Sequence, residues 1–355
     1  MTLLDERPAE APSRVTLEPR RRTVAARLSA VAVHLPAERR TTEETEARLV
    51  AENPRLRFPR GLIERLTGVT GVHVRPAGWQ TSDLAVAAAR DALAQSPGEI
   101  DLLVFASASQ DLIEPATSHI VAAKLGIAPA VMDVKNACNS LVNGLQVAEA
   151  LIATGQARRA LVVSGEMPSH AVRWRLDSSA QFLRSFAGYT MSDGGAAVVL
   201  ERADGSGAGI LASRFEAHSR FWSVGTLPTG GSVNPHAVGG SYFDMDGRAL
   251  ERAFAEVGLG IFHATLAEAG YTAADVDFVA VHQVALSMHE RIVELLGVDP
   301  ARTHRLIDGH GNLASVSLPV QLAAGVDRGA IRPGSLVALV GLAGGISLGT
   351  TVVRW

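Results

Sequence analysis

Apolar blocks separated by polar punctuation define the chain before any single residue does. Arg27–His34, Ile100–Ala108, Ala130–Val134 and Arg158–Glu166 read as strands, and most are apolar at successive positions, as expected of strands buried on both faces. Between them run helical patterns. Thr41-Thr-Glu-Glu begins one helix with a hydroxyl cap followed by acids, and Thr81-Ser-Asp83 caps a second, alanine-rich helix over Leu84–Leu93. The polar loop Gln110–Ser118 opens a third that ends at Gly126, and Leu141, Leu145, Ala148 and Leu151 mark a fourth. Thr67–Arg75 predicts a turn and a short strand, and Pro168–Tyr189 is less regular. Ser192–Glu201 is a glycine turn feeding a strand.

A second set repeats the pattern. Gly209–Glu216 predicts a strand, 217–245 is loop-rich, and Gly247–Ala269 predicts one long helix. Val276–His282 is a strand ending on a histidine, and Met288–Leu296 is helical. Asp308–Gly311 forms a tight loop before a helix through Ala324, and strands at Gly334–Val340 and Gly349–Arg354 flank Gly341–Gly345. Each set closes on a Gly-Gly pair before a strand, at Gly194-Gly195 and Gly344-Gly345, so the chain reads as two weakly repeated α/β halves. The expected division is a flexible tail over 1–24, one half over 25–204 and a second over 205–355. Such alternation predicts largely parallel sheets with helices outside.

Bulk properties narrow the class. At 355 residues, 47% hydrophobic and 19% charged, the chain is globular and can bury a large core. A formal charge of −3 gives no footing for nucleic acid. One cysteine excludes an intramolecular disulfide and a cysteine-based zinc site. No apolar run is long enough for a membrane span, and the N-terminus lacks a signal core, so a soluble, cytoplasmic protein is expected. Arg20–Arg22 is a short basic cluster read as solvated tail.

Three polar residues stand where elements end. Cys138 lies where the strand Ala130–Val134 turns into a helix, and a helix N-terminus there favours a thiolate. His282 closes a strand, and Asn312 follows Gly311 in a loop. A nucleophilic cysteine needs a base or cation nearby, and an asparagine amide can donate to a developing oxyanion. Asp193-Gly-Gly reads as a turn, His289 and Glu290 as surface residues, and His310 as a loop residue. No metal site and no cofactor are expected. The glycine loop near the C-terminus precedes a strand, whereas a dinucleotide-binding turn opens a helix. Trp174, Phe182, Phe186, Phe221 and Trp222 are candidates to line an apolar channel, or equally core or dimer contacts.

Asn136-Ala-Cys138, Val281-His-Gln283, Gly311-Asn312 with Ser315–Pro319, and Gly341–Gly349 resemble the ketoacyl-acyl-carrier-protein synthase III branch of the thiolase superfamily. The resemblance spans 26–355. It implies a thiolase-like fold of two duplicated halves stacked as five α/β layers, a homodimer, and a Cys138-His282-Asn312 site. Within the branch, Glu114-Pro-Ala-Thr117 and His282-Gln-Val-Ala-Leu-Ser-Met-His289 are most similar to the head-to-head acyl-condensing thiolases of olefin and β-lactone biosynthesis. Ala285 stands near the place where fatty-acid-initiating synthases usually carry asparagine.

By that likeness, Cys138 takes an acyl group from acyl-CoA or acyl-carrier protein. Backbone N–H groups of Cys138 and of Gly344 or Gly345 hold the oxyanion, and His282 with Asn312 stabilise the enolate of a second thioester. Glu114, reaching a partner subunit, is the candidate base for a non-decarboxylative Claisen condensation. The alternatives are a decarboxylative synthase with a malonyl donor, acyl transfer to a hydroxyl or amine, and a non-catalytic partner subunit.

Overall fold

The computed structural model describes residues 24–236 and 240–355, so the expected tail, with Arg20–Arg22, falls outside the described residues apart from Val24. The chain enters through β1 (Ala26–His34), β2 (Arg39–Thr41), α1 (Thr42–Glu52), α2 (Leu62–Thr67) and β3 (Gly71–His73). It continues as α3 (Thr81–Gln95), β4 (Leu102–Ala106), α4 (Thr117–Leu125), β5 (Ala130–Val134), α5 (Ser140–Ala153), β6 (Arg159–Glu166), α6 (Ser179–Ser185) and β7 (Gly194–Arg202). Next come β8 (Gly209–Ala217), the two-residue strands β9 (Gly225–Thr226) and β10 (Asp244–Met245), α7 (Gly247–Val257) and α8 (Gly260–Glu268). The chain ends with β11 (Phe278–Val281), α9 (Leu286–Leu296), α10 (Ile307–His310), α11 (Ser317–Asp327), β12 (Leu336–Ala343) and β13 (Ser347–Arg354).

Two sheets carry the fold, in the orders β1-β7-β6-β4-β5 and β11-β12-β13-β8. They are mixed, not largely parallel. β4 runs parallel to β5 and β6, and β11 parallel to β12, but β7 is antiparallel to β1 and β6, and β13 is antiparallel to β12 and β8. The tight turn at Gly344-Gly345 explains one case: a hairpin reverses direction, whereas a parallel neighbour needs a long crossover. The two orders superimpose as β4 on β11, β6 on β12, β7 on β13 and β1 on β8. Among the described residues no second-sheet strand matches β5; an isolated bridge from Val279 to Thr303 lies at that edge.

Side chains alternate along the strands into three cores. Leu103, Phe105, Leu161, Val163, Ala197 and Val199 point outward against α3 and α4. Leu102, Val104, Val162, Val198, Phe278, Val337 and Leu339 point inward, with α5 and α11 filling the space between the sheets. Val279, Val281, Ala338 and Val340 face α8 and α9 on the far side. The result is five layers, helix–sheet–helix–sheet–helix, because every sheet face is apolar and needs a cover. α3 lies close on its sheet through Gly165 and Gly195, which are paired across β6 and β7. A Cβ on either would overlap a carbonyl oxygen of the helix, of Thr81 or of Leu84.

Several local expectations shift. The helix cap at 81 is one residue earlier, where Gln80 and Asp83 form the reciprocal box. The expected helix over Gly247–Ala269 is two, broken at Gly258, which adopts φ +70°. β5, read as buried, is an edge strand bonded to β4, with Ala130 and Asp133 exposed and Val131, Met132 and Val134 half-buried. Among the described residues, no helix is long and apolar enough to cross a membrane.

Candidate active site

Cys138 occupies the turn from β5 to α5. Ala137 adopts φ +47°, and Ser140 locks the turn: its hydroxyl accepts from Asn136 N at 2.9 Å and donates to Ala137 O at 2.7 Å. Two asparagines stitch the turn to the start of β13. Asn136 Nδ2 donates to Ser347 Oγ at 3.0 Å, and Asn139 Nδ2 donates to Ser347 O at 3.0 Å. Ser347 follows Gly344-Gly345-Ile346, so the cysteine turn and the glycine loop share one end of the molecule. No hydrogen bond of the described turns, loops and caps uses the backbone N–H of Cys138, Gly344 or Gly345. Unpaired amides of this kind are what an oxyanion requires.

His282 leaves the end of β11, where its N–H donates to Val340 O at 2.9 Å. Gln321 fixes the residue before it, accepting from Val281 N at 3.1 Å and donating to Val281 O at 2.8 Å. The amide thus substitutes for the missing neighbouring strand. Gln283 spans to the next loop, donating to His304 O at 2.7 Å and accepting from Leu306 N and Ile307 N at 2.9 and 3.0 Å. That segment runs through α10 to Gly311, where φ is +66° and a Cβ would meet Thr190 O, and then to Asn312. Asn312 N donates to Thr190 O at 2.8 Å, and its Oδ1 accepts from Ala314 N at 2.9 Å. With Oδ1 occupied, the Nδ2 hydrogens remain for another acceptor. The Ala314–Val316 turn beyond packs on α5 and β6, bringing the Asn312 loop to the cysteine helix.

Electrostatics revise one expectation. Burial, reinforced by the Glu166 carboxylate, pushes the Cys138 thiol up to about 12. The start of α5 at Ser140 does not outweigh this burial. The resting form is therefore the thiol, not the thiolate. Burial also drives His282 down to about 4, so its imidazole is neutral, and neither ring nitrogen has a hydrogen-bond partner. Buried, unpartnered polar atoms are uncommon enough to mark a place where a ligand completes the bonding.

The other candidates are more dispersed. Glu114 sits exposed in the loop from β4 to α4, beside exposed Leu112 and Ile113. It does not cap α4; Asp133 does, accepting from Thr117 N and Ser118 N at 2.8 and 2.9 Å. Trp174 is held between Arg40 and Arg48, and Phe182 and Phe186 pack with Phe58 and Tyr189 in a side cluster. Phe221 packs against the outer core of the second sheet, apart from that cluster, and Trp222 is exposed. His289, expected at the surface, is buried on α9, with Nδ1 unpartnered. Asp193 is a buried joint, accepting from Arg75 N at 2.8 Å and Ser169 N at 3.0 Å. Among the described residues, no cluster of His, Cys, Asp and Glu could hold a metal ion.

Glu166 is the neighbour that sequence reasoning passed over. It ends the apolar strand β6, and a charge closing a fully buried strand was the available signal.

Comparison with known proteins agrees with this architecture. Residues 132–219 match the family model for 3-oxoacyl-[acyl-carrier-protein] synthase III, and 266–355 match that for its C-terminal region. A β-ketoacyl-[acyl-carrier-protein] synthase III of Dinoroseobacter shibae is 35% identical over 301 residues, covering 82% of this chain and 90% of the relative. One from Neisseria meningitidis is 32% identical, covering 93% and 99%. Among solved structures, Xanthomonas campestris OleA, as a cysteine-to-serine variant with lauric acid and lauroyl-CoA, gives a TM-score of 0.84 at 24% identity, covering 93% of this chain and 99% of that one. Pseudomonas aeruginosa FabH gives 0.80 at 27%, covering 93% and 98%. This chain is an acyl-condensing transferase of the thiolase superfamily, and it belongs to the β-ketoacyl-[acyl-carrier-protein] synthase III family.

Proposed function

We propose that Cys138 accepts an acyl group from an acyl-CoA or acyl-carrier-protein thioester and passes it to the α-carbon of a second thioester without decarboxylation. In the first step Sγ attacks the thioester carbonyl. The carbon–sulfur bond to the carrier breaks, and the thiol proton ends on the departing carrier sulfur. The unpaired N–H groups of Cys138 and of Gly344 or Gly345 receive the oxyanion. The second thioester then places its carbonyl oxygen against His282 and Asn312. A neutral imidazole has one N–H to donate, and the Asn312 amide has its Nδ2 hydrogens free, so together they stabilise an enolate. Glu114 of a second copy takes the α-proton as the enolate forms. The enolate carbon attacks the acyl-Cys138 carbonyl, and the carbon–sulfur bond to Cys138 breaks. The departing thiolate takes the proton back, giving a β-keto thioester and the free Cys138 thiol.

The observation that carries the reading is the buried His282 ring, neither nitrogen of which has a partner among the described residues, together with a Cys138 thiol that rests protonated. A triad hydrolase would instead hold its histidine by a third group; His282 has none among the described residues. Glu114 supports the non-decarboxylative form. It engages nothing described in its own chain and lies exposed with Leu112 and Ile113 in the loop before α4, while β5 leaves an unpaired edge on its sheet. An open apolar edge calls for a cover, and a second copy of this chain docked there, making a homodimer of two such two-half subunits, would carry Glu114 towards the partner's Cys138. Lauroyl-CoA, held by the OleA structure, is the first substrate to try.

The test is product formation from acyl-CoA alone and with malonyl-CoA or malonyl-carrier protein added. A β-keto product without any malonyl donor, lost in Glu114→Gln while Cys138 still loads, supports the proposal. Product only with the malonyl donor, equal in wild type and Glu114→Gln, contradicts it and assigns the decarboxylative reaction, which the likeness to synthase III relatives also favours.

A further inference from the structure

Glu166 is a buried carboxylate with no part in the chemistry above. Its Oε1 accepts from Ala108 N at 2.8 Å and Ser315 Oγ at 2.5 Å. Its Oε2 accepts from Ser109 N at 3.2 Å and Ser109 Oγ at 2.9 Å. Four donors converge on it, all neutral, and it donates to none of them, which is the bonding pattern of the ionised form. The network extends further. Ser315 Oγ lies 2.6 Å from Ser164 Oγ, and Ser109 Oγ accepts from Met167 N at 3.0 Å.

These bonds join two loops that are far apart in the sequence. Ala108 and Ser109 begin the loop that carries Glu114, and Ser315 lies three residues past Asn312. The same carboxylate adds to the burial that raises the Cys138 thiol. We propose that Glu166 is a positioning residue for the condensation: it ties the loop after β4 to the Asn312 loop behind Cys138 and keeps a fixed negative charge there. The tie holds the enolate donor in register with the acylated sulfur. The charge opposes thiolate build-up until an electrophile is bound, so the resting cysteine is protected from stray alkylation and oxidation.

The proposal rests on Cys138 being the nucleophile, and its test separates the two claims. Glu166→Gln has nearly the same shape but cannot satisfy the site. Whichever way the amide is turned, its NH2 faces a backbone N–H, of Ala108 or of Ser109. We expect the pH midpoint for alkylation of Cys138 by iodoacetamide to fall by about one pH unit when the like charge is removed. Condensation from pre-acylated enzyme should fall roughly 10–100-fold, as for a sub-ångström misplacement, while the loading step persists. Glu166→Asp keeps the charge and should hold the wild-type midpoint. Ser315→Ala cuts the tie to the Asn312 loop and should slow condensation with the midpoint unmoved.

Parallel loss of loading and condensation in Glu166→Gln, with no change of midpoint, would reduce Glu166 to a structural role and overturn the proposal. If Glu166→Gln does not fold, the Asp and Ala variants decide: a moved midpoint in Glu166→Asp, or unchanged condensation in Ser315→Ala, overturns it. If wild type takes up no acyl group on Cys138, the nucleophile assignment fails first, a result distinct from acylation with unchanged midpoints.

Discussion

Replacing Gln321 by leucine tests how the second sheet holds His282. Gln321 is fully buried, and its amide serves both free main-chain groups of Val281, the residue before His282. In the first sheet, β5 occupies the corresponding edge; here one side chain does that work. Leucine fills a similar volume and offers no hydrogen bond, so it leaves the Val281 N–H and C=O buried without partners. Each stranded group costs about 1–3 kcal/mol. The added apolar contact returns about 1–2 kcal/mol, for a net loss of ~3 kcal/mol. With an unfolding entropy near ~2.1 cal/mol/K per residue, that loss lowers Tm by roughly 4 °C for a chain of this length. The assay is a thermal melt of wild type and Gln321→Leu, read beside acyl loading and condensation. Condensation should fall more than loading, because His282 sits at the loosened strand end and Cys138 does not. A Tm within about 1 °C of wild type would refute the reasoning, since two unsatisfied buried groups cannot cost so little.

Acid should unfold the protein in a defined window. His282 binds its proton near 4 when folded and near the ordinary 6.5 when unfolded, so the unfolded chain takes up more protons in between. Its stabilising preference for the neutral ring is complete above 6.5 and is lost as pH falls towards 4, a total of ~3 kcal/mol at about 1.4 kcal/mol per tenfold change. His73, His289, His304 and His310 are lowered by burial too and act in the same direction. Urea midpoints at pH 7.5 and 5 should therefore differ, and His282→Asn should narrow the difference; a midpoint independent of pH over that range would contradict the burial argument. Gly165→Ala should cost about 1–3 kcal/mol, because the new methyl meets the backbone of α3 and no side chain can yield. Chemical denaturation measures it, and a neutral effect would mean that α3 lies further from its sheet.

Strand positions were legible because burial on both faces leaves a continuous apolar run, and β1, β4, β6 and β12 lie within a few residues of where the pattern puts them. Strand direction was less so: the Gly344-Gly345 turn marks β12 and β13 as a hairpin, but β7 looks like any buried strand and no local signal says that it will run antiparallel to β1 and β6. β5 misled for a related reason: its composition is apolar, yet it lies at an edge, and composition cannot tell a core from an open sheet edge. The ends of elements were the readable part of the site. Cys138, His282 and Asn312 each follow a run whose period stops. Glu166 also stands at such an end, but its meaning depends on Ser109 and Ser315, 57 and 149 residues away in the chain. The resting state of Cys138 was hidden for the same reason, because the burial that chiefly raises its thiol, and the Glu166 charge that adds to it, come from segments distant in sequence.

The most direct measurement is the intact mass of the protein after incubation with a long-chain acyl-CoA, for wild type and Cys138→Ala. The account predicts one added acyl group per chain in wild type, located at Cys138 by peptide mapping, and none in the variant. Acylation that persists in Cys138→Ala, or a wild type that stays unmodified with both acyl-CoA and acyl-carrier-protein donors, would contradict it.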